Sequence, residues 1–302
     1  MNRRDVLRTA AGVTLGVFAP RRVHAQQSGS SSSSRTYVIH AGGANVVAFP
    51  TGDGLVLVDS GASKSGDEVM ASLKEHAGGA KVRALFNTHY HLDQTANNEL
   101  FAAAGAKIIA HERTRQWMAT PYWVPAEDRY EKARSKMALP TATFLTTGSL
   151  NVGDEQIDYG YLLLAHTSGD IYVHFKNANL LAVGDVASPL RDPALDWFTG
   201  AWIGGRVDAM DQVLKLADDQ TFIVPAYGPM LTRAEFKAER DMMDEVRSRL
   251  FKLVKAGQGP QDMLDQGVLK GLPRTWKDPS TFVYAAAKGL WAHHDKLGPD
   301  VV

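Results

Sequence analysis

Residues 87–95 read NTHYHLDQT, and this stretch decides how the rest of the chain is interpreted. It brings His89, His91 and Asp93 together between a mostly apolar run at residues 82–86 and a helix-like run at residues 96–104. A polar loop between a strand and a helix is where open α/β folds place their ligand sites. Two imidazoles two residues apart can face one ion, and imidazole is the commonest metal ligand among side chains. On its own, the pair equally fits two solvated loop histidines.

The composition limits the chemistry of any such site. The chain has 302 residues, of which 44% are hydrophobic, so it can form one large domain or two modest ones with a real core. It contains no cysteine, which excludes disulfides, thiolate metal ligands and a cysteine nucleophile. Any metal here must therefore use nitrogen and oxygen ligands.

Residues 1–25 resemble a twin-arginine export signal, and residues 26–35 form a Ser-rich linker. Arg3 and Arg4 precede an apolar stretch at residues 10–19, which is too short to span a membrane, and a small-residue cleavage site ends at Ala25. The alternative is an uncleaved anchor or a chance basic start. The resemblance implies that the folded protein is periplasmic or otherwise exported from a bacterium.

The charge balance bears on partners. The whole chain has 33 basic and 33 acidic residues; removing residues 1–25 takes away five basic and one acidic, leaving 28 and 32, a net charge of −4. This mild acidity gives no indication of nucleic-acid binding. We expect a small-molecule substrate, no nucleic-acid partner and no stable membrane insertion, and the oligomeric state stays open.

The hydrophobic pattern predicts an alternation of strands and helices. Strands are predicted at residues 35–40, 45–49, 55–58, 82–86, 107–110, 141–145, 156–159, 161–165, 171–175, 180–183 and 221–224. Helices are predicted at residues 66–77, 96–104, 111–118, 207–216 and 231–255, with short helices after residue 260. Residues 120–140 are irregular and aromatic-rich, which fits a lid over a site or ordinary surface packing; we favour the lid.

Five of the predicted strands end next to a conspicuous polar group. These groups are Asp59, the residues His89, His91 and Asp93, then His166, Asp185 and Tyr227. If the strands lie near one another, their ends converge on one point, and three histidines and at least two carboxylates surround a single pocket. Such a nitrogen-and-oxygen cluster suits zinc, iron or manganese.

These pieces resemble the metallo-β-lactamase-fold superfamily. The matching segments, in the order of that family, are residues 58–61 (VDSG), 88–93 (THYHLD), 165–170 (AHTSGD), 183–185 (VGD) and 225–229 (PAYGP). The resemblance covers residues 36–256 and implies an α/β (α+β) fold, an αββα sandwich of two mixed β-sheets flanked by helices. Residues 257–302 are expected to be a helical extension packed on the same domain. The superfamily includes lactamases, thioester and lactone hydrolases, nucleases, and iron-dependent oxidases and dioxygenases, so the resemblance indicates the fold and not the substrate.

The resemblance also implies roles for individual residues. His89, His91 and His166 would hold a first metal, and Asp185 would bridge toward a second. Asp93 would bind the second metal or act on the attacking water, and Asp59 would fix the histidine loop.

The chain departs from the family at the second metal site. Gln94 and Tyr227 occupy positions that usually carry histidine, and both are poorer zinc ligands than imidazole. We interpret them as hydrogen-bonding walls of the pocket. The sequence therefore predicts one tightly bound zinc ion, with a second one weak or absent.

The leading hypothesis for function is a zinc hydrolase that uses a metal-bound hydroxide on a carbonyl substrate such as an ester, lactone, thioester or β-lactam. Asp93 would orient the water and pass on its proton, and Tyr227 would donate a hydrogen bond to the leaving group. One alternative is a mononuclear iron oxygenase of the same fold that uses His89, His166 and Asp185. Another is a non-catalytic metal-binding member.

The remaining polar candidates receive structural interpretations. His111 is expected near a helix cap or on the surface, and His174 is expected to be structural. His293 and His294 fit a surface position in a tail helix, and Asp170 ranks below Asp185 as a ligand.

Overall fold

Two mixed β-sheets form the centre of the fold in the computed structural model, which describes residues 36–293. The predicted export signal, the linker and His294 lie outside these residues. In chain order the strands are β1 (Tyr37–Ala41), β2 (Ala44–Thr51), β3 (Gly54–Val58), β4 (Val82–Phe86), β5 (Lys107–His111), β6 (Tyr122–Val124), β7 (Arg129–Glu131), β8 (Ala142–Phe144), β9 (Thr147–Val152), β10 (Glu155–Tyr161), β11 (Ile171–Phe175), β12 (Leu180–Gly184) and β13 (Phe222–Pro225).

The helices flank these sheets. They are α1 (Gly66–Ala77), α2 (Leu92–Thr95), α3 (Asn98–Ala103), α4 (Glu112–Ala119), α5 (Ile203–Leu216), α6 (Arg233–Lys255), α7 (Pro260–Asp265) and α8 (Pro279–Ala292). Short 3-10 helices lie at Pro125–Glu127, Lys136–Ala138 and Trp197–Thr199. Within residues 36–293, every helix is too short or too polar to cross a membrane.

The first sheet has the order β1-β2-β3-β4-β5-β8 and the second has the order β13-β12-β11-β10-β9. In the first, β1, β2 and β3 pair antiparallel through tight turns, and β3, β4, β5 and β8 run parallel. In the second, only β12 and β13 pair parallel. Strands β6 and β7 form a separate hairpin.

Strand β3 shows how the sequence builds the layers. All five of its residues are buried, as expected for an interior strand covered on both faces. Because successive side chains point to opposite faces, Val56 and Val58 pack between the two sheets, whereas Leu55 and Leu57 pack beneath α1 and α3. Helices α5, α6 and α8 cover the outer face of the second sheet in the same way. The predicted αββα sandwich is confirmed.

Several local predictions are wrong. Residues 161–165 do not form a strand, because β10 ends at Tyr161 and residues 162–170 form a loop in which Leu164 has a φ of 52°. The polar edge strand β9 and the short helix α2 were not predicted, whereas the helix predicted at residues 96–104 is present as α3 with narrower bounds. Residues 120–140 contain the β6–β7 hairpin, and its role as a lid stays a prediction.

The C-terminal helices pack on the second sheet's helical layer. Phe282, Val283, Ala286 and Leu290 of α8 belong to the same apolar cluster as the buried residues of α5 and α6. The boundary at residue 256 between the domain and its extension stays a prediction.

Candidate metal centre

Three histidines and an aspartate meet at one edge of the sandwich. His89 and His91 follow β4, His166 lies in the loop between β10 and β11, and Asp185 follows β12. Nε2 of His89 and Nε2 of His166 each lie 3.1 Å from Nδ1 of His91. A carboxylate oxygen of Asp185 lies 3.6 Å and 3.8 Å from Nε2 of His89 and His166. The structure thus brings together four of the residues that the sequence predicts as metal ligands.

Asp59 fixes the ring of His89 through Thr88. The carboxylate of Asp59 accepts hydrogen bonds from the Thr88 backbone N–H at 2.7 Å and from the Thr88 hydroxyl at 2.8 Å. Because that hydroxyl donates to Asp59, it accepts from Nδ1–H of His89, 3.1 Å away. Burial raises the pKa of Asp59 to about 8, against the lowering effect of these hydrogen bonds. Nε2 of His89 is left to face the cluster.

The close packing of the two sheets here explains Gly184. Its φ is 58°, and a Cβ at this position would lie 2.7 Å from the Thr88 hydroxyl and 3.5 Å from Nδ1 of His89. A glycine is therefore required between β12 and Asp185 for both backbone conformation and space.

The other two rings are held by the loop that follows Asp185. Nδ1 of His166 donates to the backbone oxygen of Ala194 at 2.9 Å. Nε2 of His91 donates to a carboxylate oxygen of Asp196 at 2.8 Å, and the hydroxyl of Tyr90 donates a short hydrogen bond to the same oxygen. Each imidazole thus has its outer nitrogen bound to an acceptor and its inner nitrogen directed at the same point.

This arrangement fits a divalent metal ion. When all three rings are neutral and their outer nitrogens are protonated, the inner nitrogens present three lone pairs to one another, which a cation between them can bind; without a metal ion, a proton on Nδ1 of His91 can take that place. Two nitrogen ligands at tetrahedral zinc lie roughly 3.3 Å apart, close to the 3.1 Å found between these nitrogens. The donor set suits zinc and ferrous iron alike.

The electrostatics of the cluster distinguish its histidines. Burial, together with the neighbouring rings, lowers the pKa of His89 and keeps that ring neutral. Burial also acts to lower the pKa of His91, but Asp196 outweighs it and raises the value to about 9. A metal ion must therefore displace a proton from His91 at neutral pH, so its affinity falls as the pH falls.

Asp93 and Tyr227 lie beside this cluster and bind each other. The hydroxyl of Tyr227 donates a short hydrogen bond to Asp93, and Asp93 is outside the four-residue metal group. The guanidinium of Arg191 lies 3.2 Å above the Tyr227 ring, and one of its nitrogens is 3.8 Å from the bonded oxygen of Asp93. Burial and the Asp93 charge raise the pKa of Tyr227, which keeps the phenol neutral.

Gln94 is completely buried, and neither atom of its side-chain amide has a hydrogen-bond partner among the described residues. Tyr227 thus places a neutral phenol, and Arg191 a guanidinium, beside Asp93. Gln94 does not make, within residues 36–293, the hydrogen bonds expected of a pocket wall. The weakness of a second metal site stays a prediction.

The other histidines considered as candidates within residues 36–293 lie outside the metal group. Nδ1 of His111 accepts from the N–H of Arg113 at the start of α4, so its assignment to a helix cap is confirmed; its ring is buried, so the surface alternative is wrong. His174 is buried on β11. His293 is partly buried, and its Nε2 donates to the Gly200 backbone oxygen at 2.9 Å. None of these three lies in the metal group.

Asp170 shapes the loop that carries His166. Its carboxylate accepts from the N–H groups of His166 and Thr167, both at 2.7 Å, and from the Thr167 hydroxyl at 2.8 Å. It therefore supports the metal cluster through the backbone and not as a ligand.

Sequence reasoning missed Ala194, Asp196 and Arg191, which all lie in one irregular loop. This loop has no periodicity, and a backbone oxygen such as that of Ala194 leaves no signature in a sequence. Asp196 offered a weak signal as a carboxylate soon after Asp185, but its contact with His91 depends on the path of the loop.

The comparisons with known proteins agree with this geometry. The model of the metallo-beta-lactamase superfamily matches residues 40–268. A curated relative, the 2,4-dinitroanisole O-demethylase subunit alpha of Nocardioides sp. (strain JS1661), is 24% identical over 229 residues, which are 74% of this chain. The chain spans 64% of the length of that relative.

Solved structures support the fold. A metallo-beta-lactamase from Pontibacter korlensis superposes with a TM-score of 0.56 at 19% identity and covers 72% of this chain and 97% of its own. A double mutant of the sec-alkyl sulfatase PisA1 superposes with a TM-score of 0.62 at 13% identity, and the match covers 87% of this chain and 49% of the sulfatase. At these identities the likeness concerns the fold alone. Because the family model covers most of the chain, this protein belongs to the metallo-beta-lactamase superfamily.

Proposed function

We propose that this protein is a metal-dependent hydrolase that adds water to a carbonyl substrate such as an ester, lactone, thioester or β-lactam. We further propose zinc as the metal, held in one tightly bound copy by His89, His91 and His166, with the Asp185 carboxylate 3.6 Å and 3.8 Å from two of the three nitrogens. One observation carries this proposal: three inner imidazole nitrogens face one point while each outer nitrogen is fixed by an acceptor. Membership of a superfamily rich in hydrolases supports it.

A zinc ion held by these histidines would supply a Lewis acid and would lower the pKa of a coordinated water to about 7. The residues of the chain prepare the rest of the reaction. Asp93 takes the proton of the attacking water and returns it to the leaving group, a role that contributes typically 10²–10⁴-fold to the rate. The Tyr227 hydroxyl donates to Asp93, so we assign it the orientation of that carboxylate in place of the bond to the leaving group expected from the sequence.

The geometry favours this proposal over the iron oxygenase. A two-histidine, one-carboxylate site would use His89, His166 and Asp185 and leave His91 aside. In the structure, Nδ1 of His91 lies at the same 3.1 Å from both other rings, and Asp196 holds its other nitrogen. His91 is therefore placed as a third nitrogen ligand beside His89 and His166, and a two-histidine site would leave it unused.

The test begins with the metal content of mature protein purified without added metal. Hydrolysis is then assayed on an ester, a lactone, a thioester and a β-lactam. A methyl aryl ether joins the panel because one relative is named an O-demethylase; hydrolysis of such an ether gives a phenol and methanol.

We expect one zinc per chain and turnover of at least one of the four carbonyl substrates; turnover of the ether alone would contradict the carbonyl assignment. Asp93→Asn should lower kcat by roughly 10²-fold or more and should retain its zinc. Asp241→Asn, on the exposed face of α6, should change neither kcat nor the zinc content. Iron with oxygen uptake would instead indicate an oxygenase, and bound metal without any turnover would indicate a non-catalytic member.

A further inference from the structure

One irregular loop, residues 185–196, supplies three of the groups that shape the metal cluster. It begins with Asp185, the backbone oxygen of Ala194 orients His166, and Asp196 orients His91. Outer partners of metal-bound histidines typically change metal affinity by 10–100-fold when they are mutated. Whatever holds this loop therefore influences the metal site.

A buried ion pair holds the loop from the side of the core. Arg206 of α5 is completely buried and donates to the Ser188 hydroxyl at 2.8 Å and to the Ala194 backbone oxygen at 3.4 Å. Glu239 of α6 accepts from the Ser188 N–H at 2.8 Å and lies 3.9 Å from the Arg206 guanidinium. Glu239 compensates the buried charge of Arg206, so the loss of Glu239 would leave that guanidinium without its carboxylate partner.

The C-terminal segment holds the same loop from the other side. Arg274 donates to the backbone oxygens of Ser188 at 2.7 Å and Arg191 at 2.6 Å, and it also lies 3.6 Å from the carboxylate of Glu239. The carboxylate of Asp192 accepts from the backbone N–H groups of residues 277 and 278 at 2.8 Å and 2.6 Å. The donors Arg274, Lys277 and Asp278 all follow residue 268, where the match to the superfamily model ends.

We propose that Arg274 is a positioning residue for the metal centre, and that through it the C-terminal segment forms part of the functional site. This inference rests on the proposed metal site. The guanidinium of Arg274 donates to two backbone oxygens of the loop. It also lies 3.6 Å from the carboxylate of Glu239, which pairs with Arg206. The loop lacks helical or strand hydrogen bonds of its own between residues 187 and 196. These contacts, together with the bond from the Asp196 N–H to the His166 backbone oxygen at 2.9 Å, therefore set where Ala194 and Asp196 meet the histidines.

The test compares Arg274→Met and Arg274→Lys with a matched control, Arg240→Met. Arg240 also joins charged partners, Asp211 at 2.7 Å and Asp244 at 3.0 Å, but it makes no contact with the loop among the described interactions. The zinc dissociation constant of the mature chain is measured against a competing chelator, and the melting temperature of the metal-free protein is measured alongside.

Arg274→Met should weaken zinc binding about tenfold or more, and Arg274→Lys should recover part of the loss because it keeps the charge. Arg240→Met should lower the melting temperature and leave the zinc dissociation constant unchanged. If Arg274→Met does not fold, Asp192→Ala cuts the same attachment from the loop side and should weaken zinc binding in the same direction.

Zinc affinity equal to that of the unmodified protein in the folded Arg274→Met variant, or in Asp192→Ala where it stands in, would overturn the inference. The readout is independent of turnover. If the variant binds zinc more weakly but the unmodified protein hydrolyses nothing, the positioning role is supported and the proposed function is contradicted. If the variant binds zinc unchanged and the unmodified protein is an active hydrolase, the proposed function is supported and the positioning role is contradicted.

Discussion

The number of tightly bound metal ions follows from what surrounds Asp93. We predict one tight ion per chain in the unmodified protein, and a second only at high added metal. The double variant Gln94→His, Tyr227→His should raise tight binding toward two, because it introduces two imidazoles at the positions where the superfamily usually has them. Adding Arg191→Gln should strengthen the second site further.

The size of the effect can be estimated from the contacts. A second cation on Oδ2 of Asp93 has to replace the Tyr227 hydroxyl, which bonds that oxygen, and a hydrogen bond to a charged group contributes about 1.5–3 kcal/mol. It also approaches Arg191, whose nitrogen is 3.8 Å from the same carboxylate oxygen. A divalent ion roughly 5 Å from a guanidinium is disfavoured by about 2 kcal/mol even at the dielectric constant of water. Together these costs weaken the second site by roughly 10²–10³-fold.

Native mass spectrometry and metal analysis after dialysis measure the stoichiometry directly. The control is Arg83→Gln, which removes an exposed arginine paired with Asp53 at 3.8 Å and should leave one ion per chain. Two tightly held ions in the unmodified protein would refute the reasoning. So would a second site whose affinity does not respond to the loss of the Arg191 charge.

Three further predictions test the cluster, the fold and the N-terminus. His166→Ala should abolish tight metal binding in a metal analysis, whereas His111→Ala should lower the melting temperature and keep the metal, because His111 caps a helix. Burial lowers the pKa of His174 to about 4, so the unfolded chain takes up this proton first as the pH falls below about 6.5. The stability from a neutral His174 is complete above that pH and is lost toward pH 4, with about 2 kcal/mol gone at pH 5; urea unfolding of His174→Leu should lack this component. Finally, Arg3→Lys with Arg4→Lys should keep the protein in the cytoplasm in a cell fractionation, and a double variant that still reaches the periplasm would contradict the export signal.

The sequence predicts best those elements whose pattern is local. Helix α1 and strand β4 have the predicted bounds, because alternating or helical spacing of apolar residues depends only on neighbours in the chain. The grouping of His89, His91, His166 and Asp185 could also be predicted, since the resemblance and the strand ends indicate the same point. The prediction that His166 directly follows a strand was wrong, yet its place in the cluster was right.

The parts that could not be predicted depend on tertiary contacts between charged groups and the backbone. Residues 161–165 contain enough apolar side chains to predict a strand, but the carboxylate of Asp170 binds the N–H groups of residues 166 and 167, and residues 162–170 form a loop. Likewise, nothing local indicates that Ala194 accepts from His166, or that Arg274 reaches the Ser188 backbone from 86 residues further along the chain.

The site therefore has two layers with different origins. The strands and the short loops that follow them place the metal-facing atoms. The residues that carry these atoms can be recognised in the sequence as histidines and aspartates near predicted strand ends. The outer nitrogens of His91 and His166 are held by Asp196 and by the Ala194 backbone, which lie on a loop that is itself held by Arg206, Glu239 and Arg274. Because outer partners typically change metal affinity by 10–100-fold, two chains with the same strand-end motifs can differ widely in metal binding. The motifs thus indicate the superfamily, whereas the affinity of this metal centre depends on the loop and on the C-terminal segment that positions it.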